Sequence, residues 1–316
     1  MKPTPILLIA FSRPNTLMRQ LQRIELLPNT DLMISIDGPL PQTHELRDST
    51  LLVAERWANN SHHRVSIVNQ QKNLGIYDHL PKAMELFYSS HNFGAILEDD
   101  IEFTPALFDI FNLFKERVIS GEFWSICGHN PQSVGDPNKF KGNSMQVYPS
   151  NFHSIWGWGT SAGNAAKFLS HYGETISMSK VDEVLSETAR ALTRDLFLQR
   201  AFILTWKRKL EGFNSRRIQS GWDTRWVFEA WSQESFSLIP EFSLSREELS
   251  QIEGQTHPHS KSGDTWKLKP EKEIRFHLVK IDKNLDVALL STWGIRRKYA
   301  WLFFLRIFRQ LKEVTK

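Results

Sequence analysis

The sequence predicts an α/β protein in which helices cover both faces of a mainly parallel sheet. Short apolar runs alternate with helical runs through the first hundred residues, a pattern typical of such sheets. The apolar run that begins at Phe93 leads directly into three consecutive acids, Glu98, Asp99 and Asp100. Because ligands of open α/β sheets bind at the carboxyl ends of strands, this acidic corner is the first candidate site.

The individual elements follow from apolar spacing and from turn residues. We predict strands at 5–12, 31–37, 64–69, 93–98 and 236–240. We predict helices that open at 13 and that cover 44–59, 79–90, 105–119, 161–172 and 182–210. Residues 130–143 are rich in Asn, Pro, Gly and Lys, which predicts a long functional or mobile loop.

Composition narrows the class of protein. With one cysteine, Cys127, the chain cannot form an internal disulfide or a cysteine-based zinc site, which favours the reducing cytosol. The apolar run near the N-terminus is short and interrupted by prolines, so it fits a first strand better than a signal peptide. No run approaches the ~20 apolar residues that a membrane span needs.

Basic charge is concentrated at the C-terminal end. The formal net charge is +4, but residues 296–316 hold seven basic side chains against Glu313, so the remainder of the chain is slightly acidic. A general nucleic-acid-binding surface is therefore not indicated. The stretch 293–311 mixes aromatic and basic residues, which predicts an amphipathic helix that either lies on an anionic membrane or docks on the domain.

The acidic corner has the ligand chemistry of a divalent metal site. Clustered carboxylates are hard oxygen ligands that suit Mg²⁺ or Mn²⁺, although a solvated acidic loop has the same composition. The first turn between strand and helix, residues 11–14, contains no glycine, so the dinucleotide-binding fingerprint is absent, and no P-loop motif occurs. A metal on the corner would supply another way to hold phosphate.

Two tryptophan-rich segments are candidate substrate sites. Asp223 lies between Trp222 and Trp226 where a helix is predicted to begin. It either caps that helix or, partly desolvated by the indoles, serves as a general base. Trp156 and Trp158 are separated by glycine and form either a platform for a sugar ring or a tight buried turn.

Two histidines, His257 and His259, occur in a polar loop. Such a pair is commonly just exposed to solvent. A neutral imidazole there would also suit a metal that carries a diphosphate.

Six segments, taken in chain order, resemble a known family. They are Phe-Ser-Arg-Pro at 11–14, Ile-Asp-Gly at 36–38, Asn-Leu-Gly-Ile at 73–76, Leu-Glu-Asp-Asp-Ile at 97–101, Trp-Gly-Trp-Gly at 156–159 and Trp-Asp-x-x-Trp at 222–226. Over residues 5–260 the chain resembles GT-A glycosyltransferases, and is similar to the N-acetylglucosaminyltransferase I group and to bacterial hemolytic-protein-like glycosyltransferases. The resemblance implies a Rossmann-like nucleotide-diphospho-sugar transferase fold.

The same resemblance implies an organisation and a set of roles. The chain would comprise a nucleotide-sugar-binding half at 1–128, an acceptor and catalytic half at 129–275 and a basic aromatic tail at 276–316. Asp223 falls where the family has its catalytic base. The metal, Mn²⁺ or Mg²⁺, would be held by Asp100, with His257 as a second candidate ligand. The remaining candidates would bind the nucleotide or the sugars: Arg13, Asp37, Glu98, Asp99, Trp156, Trp158 and Trp222.

These roles predict a metal-dependent inverting glycosyltransferase that moves a sugar from a nucleotide-diphosphate donor to a glycan or lipid-linked acceptor, in cell-surface glycan synthesis. We expect the protein in the cytoplasm, where its tail would attach it peripherally to the inner face of the membrane. A sugar-phosphate nucleotidylyltransferase is an alternative, although the first turn lacks the expected Gly-rich loop. A non-catalytic carbohydrate-binding surface protein would explain the 11 Trp and 21 Phe but not the acidic triplet.

Overall fold

The computed structural model describes residues 2–131, 144–215, 221–247, 274–281, 283–290 and 295. Eleven strands lie within these ranges. They are β1 (Ile6–Ala10), β2 (Asp31–Ile36), β3 (Arg64–Asn69), β4 (Phe93–Glu98), β5 (Ile101–Phe103), β6 (Ser125–Cys127), β7 (Ser144–Ser150), β8 (Trp158–Ser161), β9 (Ser237–Pro240), β10 (Ser245–Glu247) and β11 (Arg275–Leu278).

The same ranges contain nine α-helices and one short 3-10 turn at Pro41–Thr43. The helices are α1 (Pro14–Ile24), α2 (His44–Ala58), α3 (Gly75–Tyr88), α4 (Ala106–Ile119), α5 (Ala162–Tyr172), α6 (Met178–Leu192), α7 (Leu196–Asn214), α8 (Trp222–Ser232) and α9 (Lys283–Leu290). None of these described helices is long and apolar enough to cross a bilayer.

Nine strands form one mixed, mainly parallel sheet in the order β11-β7-β9-β6-β8-β4-β1-β2-β3. Strands β3, β2, β1 and β4 are parallel neighbours, while β8 runs antiparallel to both β4 and β6. The chain extends the sheet from β1 towards β2 and β3 on one side and places β4 on the other. The strand order therefore reverses between β1 and β4, and such a switch point opens a crevice at the carboxyl ends of the two strands.

Helices cover both faces of the sheet, as the sequence predicts. Side chains alternate across β1, so that Ile6 and Leu8 join one core cluster while Leu7 and Ile9 join the other. The first cluster includes residues of α1, α2 and α4, and the second includes residues of α3 and α5 to α8. The α/β class with a mainly parallel sheet is thus confirmed.

Three element assignments differ from the sequence prediction. The helix predicted over 182–210 is two helices, because α6 ends at Leu192 and the side chain of Asp195 caps a new one by accepting from the N–H groups of Phe197 and Leu198. Helix α3 begins at Gly75, four residues before its predicted start. Strands β5, β7, β8, β10 and β11 were not predicted, since most are too short to show a period of two.

The beginning of the C-terminal region is attached to the sheet. Asp286 on α9 is buried and accepts hydrogen bonds from the hydroxyl of Ser150 and from both the backbone N–H and the side-chain amide of Asn151. Leu290 and Ile295 belong to the core. The predicted amphipathic helix lies mostly beyond Ile295, outside the described residues.

Replacing Asp286 with alanine should lower the free energy of unfolding by about 1–3 kcal/mol, because the buried donors of Ser150 and Asn151 lose their acceptor. Asp182→Ala is the matched control, since Asp182 is an exposed acid paired with Lys207. Urea titrations of both variants measure the change. Equal stability of the two variants would show that α9 is not held through Asp286.

Candidate active site

The acidic corner lies at the switch point of the sheet. Glu98 ends β4, Asp99 and Asp100 form the turn that follows, and β5 begins at Ile101. The corner is fixed on both sides. The backbone N–H of Asp99 donates to the carbonyl of Ile9 in β1, and β5 pairs with β10 in a separate two-stranded sheet. The acids therefore stand on rigid backbone beside the turn that leads from β1 into α1.

Arg13 occupies that turn and faces the acids. It precedes the first residue of α1, and its guanidinium donates to Asp99 Oδ1 through Nη2 and to Asp100 Oδ2 through Nη1, the latter at 2.5 Å. One side chain thus bridges two carboxylates. The sequence predicts Arg13 and the acids as parts of one site, and the structure brings them into contact.

Three carboxyl groups face one guanidinium at the corner. Burial, together with the charges of Asp100, Asp99 and Asp223, raises the pKa of Glu98 to about 8 against the opposing effect of Arg13. Burial and the charge of Asp100 likewise raise the pKa of Asp99 to about 6, although Arg13 lowers it. Burial is the largest cause of both shifts, so the charged forms of these two acids are costly in the folded protein.

The donor atoms fit a divalent cation. Asp99 is 1% exposed, and its Oδ2 finds no hydrogen-bond donor in the part of the chain that the structure describes. The backbone N–H of Phe11 is near enough to lower the pKa of Asp99 but does not satisfy Oδ2. A buried carboxylate oxygen without a donor is costly unless a cation or other ligand meets it.

Asp223 approaches the corner from the second half of the chain. Helix α8 begins at Trp222 with Gly221 in the N-cap position, so the interpretation of Asp223 as the N-cap is wrong, and Asp223 lies in the first turn. Burial raises the pKa of its carboxyl, while Lys209 lowers it. Because the charge of Asp223 in turn raises the pKa of Glu98, the two carboxylates lie within electrostatic reach.

Stacked tryptophans join α8 to the sheet. Trp158 in β8 stacks on Trp222 with ring centroids 5.9 Å apart, and it also contacts Trp226 at 4.5 Å. Trp158 pairs with Ile96 in β4, two residues before Glu98. Trp158 and Trp222 are buried, so they set the position of Asp223 and offer no open face to a sugar.

Trp156 differs from these two because the residue is 37% exposed. It precedes Gly157, whose φ of +65° places the turn in a region that favours glycine. The ring of His129 packs on the indole at 4.7 Å, and Ser245 Oγ donates to the Trp156 carbonyl. Gly157 also lies against Ile101, so a partly exposed aromatic face stands next to the acidic corner.

Asp37 lies at the end of β2 and organises the neighbouring loop. Its carboxylate accepts from the backbone N–H groups of Gly38, Leu74 and Gly75 and from the side-chain amide of Asn73. These bonds supply the first turn of α3 with an acceptor, which explains its early start. Asp37 therefore shapes the crevice, whether or not it also contacts a nucleotide.

Two candidate histidines, His257 and His259, lie outside the described residues, as does most of the 130–143 loop.

Two residues near the site were not predicted from the sequence. His129 lies just after the end of β6, so the rule that ligands bind at the carboxyl ends of strands, which singled out Asp99, applies to it as well. Lys209 was missed because its position near Asp223 comes from the packing of α7 on α8, which no local pattern encodes.

One other cluster has metal-ligand chemistry. Among the described residues, Glu25, His62 and His63 form the one group of three or more such side chains whose ligand atoms lie within 4.8 Å of one another. Their nitrogens are already engaged. His62 bonds Glu25 and the carbonyl of Leu27, and His63 bonds the carbonyl of Ile24 and the N–H of Thr30. We interpret this cluster as a hydrogen-bonded group at the surface, in which His62 contacts Glu25.

No protein-family model and no curated protein matches the sequence. Solved structures that align with this chain include a mannosyltransferase from Pyrobaculum calidifontis in complex with GDP-mannose and Mn²⁺, at 10% identity and a TM-score of 0.40 over 74% of this chain and 73% of that one. A cytidylyltransferase from Leptospira borgpetersenii aligns at 12% identity and a TM-score of 0.32 over 54% of this chain and 65% of that one. At such identity an activity has to be argued from the site itself.

Replacing Glu98 with glutamine should stabilise the metal-free protein at high pH. A carboxyl whose folded pKa exceeds its unfolded value carries no penalty below about pH 4.5, and it destabilises the fold increasingly as pH rises towards 8. We expect Tm in EDTA to rise by at least about 2 °C at pH 8.5 and to change little at pH 4.5.

The control is Glu187→Gln on the exposed face of α6, which should leave Tm unchanged at both pH values. A Glu98→Gln variant that is no more stable than the wild type at pH 8.5 would mean that the folded protein does not raise the pKa of Glu98.

Proposed function

We propose that this protein is a metal-dependent inverting glycosyltransferase that moves a sugar from a nucleotide-diphosphate donor to an acceptor hydroxyl. The observation that carries the proposal is the pair of carboxylate groups at one crevice. The acidic corner sets three carboxyl groups against the one guanidinium of Arg13, and among the described residues a buried oxygen of Asp99 has no donor. Asp223 reaches the same crevice from a different part of the chain. Glycosyl transfer with a diphosphate leaving group needs both features.

The corner would serve the donor. Asp100, which is more exposed than Asp99, and Asp99 itself would hold a divalent cation, Mn²⁺ or Mg²⁺. Such a cation neutralises the negative charge that develops on a departing diphosphate. Arg13 lies at the start of α1, where helix N-H groups and positive charge suit phosphate. Asp37 would keep the 73–75 loop in place for the nucleotide.

Asp223 would serve the acceptor. The attacking hydroxyl must lose its proton, and a carboxylate with a raised pKa is a stronger base than an ordinary aspartate. Because Asp223 is held by the Trp158–Trp222 stack, it keeps its position when substrates change. Direct attack by the activated hydroxyl is a single displacement, so the configuration at the anomeric carbon inverts.

Trp156 would contact a sugar ring. The residue that follows it, Gly157, lies against Ile101. The ring of His129, whose pKa burial lowers to about 4, packs on the indole. His129 is therefore neutral at physiological pH and presents an uncharged ring to the indole. Apolar sugar faces pack well on such aromatic surfaces.

The activity can be tested with purified protein, Mn²⁺ and a panel of nucleotide-sugars. A glycosyltransferase releases nucleoside diphosphate from its donor. Release of pyrophosphate from a nucleoside triphosphate and a sugar phosphate would instead identify a nucleotidylyltransferase. Binding of free glycans with neither reaction would identify a carbohydrate-binding protein.

Asp223→Asn should reduce sugar transfer by a factor on the order of 10² or more while donor and metal still bind, because the amide keeps the shape but cannot accept the proton. Rates are compared with those of Asp100→Asn, which should lose metal-dependent donor binding as well. Transfer by Asp223→Asn within a few fold of the wild type would remove Asp223 from the reaction.

Gly221→Ala provides a second variant that leaves Asp223 in place. A Cβ at Gly221 would meet Asp223 Oδ1 at 2.6 Å, so the carboxylate must move, while the φ of −68° suits alanine. We expect slower transfer with normal donor binding. Gly173→Ala is the matched control, since a Cβ there meets no atom within 4 Å.

The C-terminal tail would hold the enzyme near a lipid-linked acceptor. Truncation after Ile295 retains Asp286, Leu290 and the core contact of Ile295, and removes the basic aromatic segment. We expect the full-length protein to sediment with phosphatidylserine vesicles and the truncated protein to stay in solution at equal Tm. Neutral phosphatidylcholine vesicles are the control, and a full-length chain that never sediments would contradict the tail's role.

A further inference from the structure

Arg13 uses the carboxylate oxygens that a metal at the corner would need. Its two terminal nitrogens contact two different acids, Asp99 Oδ1 and Asp100 Oδ2. A guanidinium that binds one carboxylate through both nitrogens stabilises one ion pair, whereas this one spans two acids. It therefore stands between the two side chains that are the best candidates to share a cation.

With Arg13 in contact with two of them, the three acids do not all converge on one point. Within the described residues, Glu98, Asp99 and Asp100 do not bring one ligand atom each within 4.8 Å of one another, since the one such group lies at Glu25, His62 and His63. Yet Asp99 Oδ2 is buried without a donor in the described part of the chain. Arg13 thus occupies two of the carboxylate oxygens, while a buried oxygen of Asp99 stays without a partner.

The Arg13 side chain can move while its backbone stays in place. Its backbone is anchored, because its carbonyl accepts from the N–H of Leu17 in the first turn of α1 at 2.9 Å and Pro14 follows it. Its side chain is 24% exposed, and a flexible aliphatic chain carries the guanidinium. A guanidinium released from the acids at this turn remains beside the N-terminus of α1, where a phosphate group would find it.

We propose that Arg13 is a resident counter-ion of the acidic corner, which a divalent cation displaces and which the donor's diphosphate then takes up. This inference rests on the proposed function. It makes Arg13 a positioning residue that couples two binding events. Without the diphosphate, the cation must break the two charge-assisted bonds that Arg13 makes to the acids. Without the cation, the negatively charged diphosphate must approach acids that no metal neutralises.

The coupling has a thermodynamic consequence. If the diphosphate captures the guanidinium, it removes the competitor of the cation, so each ligand raises the affinity of the other by the same factor. A cation bound without nucleotide is weakened by the presence of Arg13. Removing the guanidinium should therefore strengthen metal binding in the absence of nucleotide and, at the same time, weaken nucleotide binding.

The test is a titration with Mn²⁺ alone, followed by electron paramagnetic resonance of the free ion, on the wild type, Arg13→Gln and Arg13→Lys. We expect the Kd of Arg13→Gln for Mn²⁺ to be at least about 10-fold lower than that of the wild type. Arg13→Lys, which keeps a charge but cannot bridge two acids, should lie between them. Arg56→Gln, on the exposed face of α2, is the control and should match the wild type.

A second titration adds UDP or GDP at saturation. Wild-type affinity for Mn²⁺ should then approach that of Arg13→Gln without nucleotide, while Arg13→Gln should bind the nucleotide more weakly. Circular dichroism checks that each variant is folded. If Arg13→Gln does not fold, Arg13→Lys replaces it in the test, and its Kd for Mn²⁺ should be roughly 3-fold lower than that of the wild type.

Unchanged or weaker binding of Mn²⁺ by a folded Arg13 variant would overturn the exchange while leaving the proposed function intact. No binding of Mn²⁺ by the wild type, with or without nucleotide, would overturn both, because a corner that takes no cation has no competitor to displace.

Discussion

The burial of adjacent carboxyl groups at the end of β4 is the constraint on which the arrangement of the crevice depends. Asp99 must be buried because it follows β4 directly and is bonded to β1 through its backbone. A buried carboxylate needs hydrogen-bond donors or a cation, and the turn between β1 and α1 supplies a cation here. Arg13 in that turn donates to one oxygen of Asp99 and to one oxygen of Asp100.

The second half of the chain is brought to this crevice by aromatic packing. Strand β8 inserts next to β4 and carries Trp158 into the core, where it meets Trp222 and Trp226 of α8. Because these indoles are buried, the start of α8 cannot move independently of β4. The distance between Asp223 and the acidic corner is thus set by hydrophobic packing, which does not change when charged ligands bind and leave.

The first half of the fold could be predicted from sequence because its strands are apolar runs with helices between them. The site could be predicted in part for the same reason, since Glu98, Asp99 and Asp100 directly follow such a run. Strand β8 could not, because its glycine serves close packing, and a Cβ at Gly159 would meet Phe93 at 2.9 Å. The exposure of Trp156 against the burial of Trp158 also depends on tertiary packing, and the sequence does not distinguish the two.

Three buried aspartates differ in how far the protein satisfies their carboxylates. Asp37 accepts from three backbone N–H groups and one side-chain amide, and Asp286 accepts from Ser150 and Asn151. Each of these two fixes a loop or a helix, and the protein itself supplies their donors. Asp99 has Arg13 on one oxygen and no donor on the other within the described chain. Since the fold satisfies the other two buried carboxylates with its own groups, the unsatisfied oxygen of Asp99 is the one that the proposed ligand would complete.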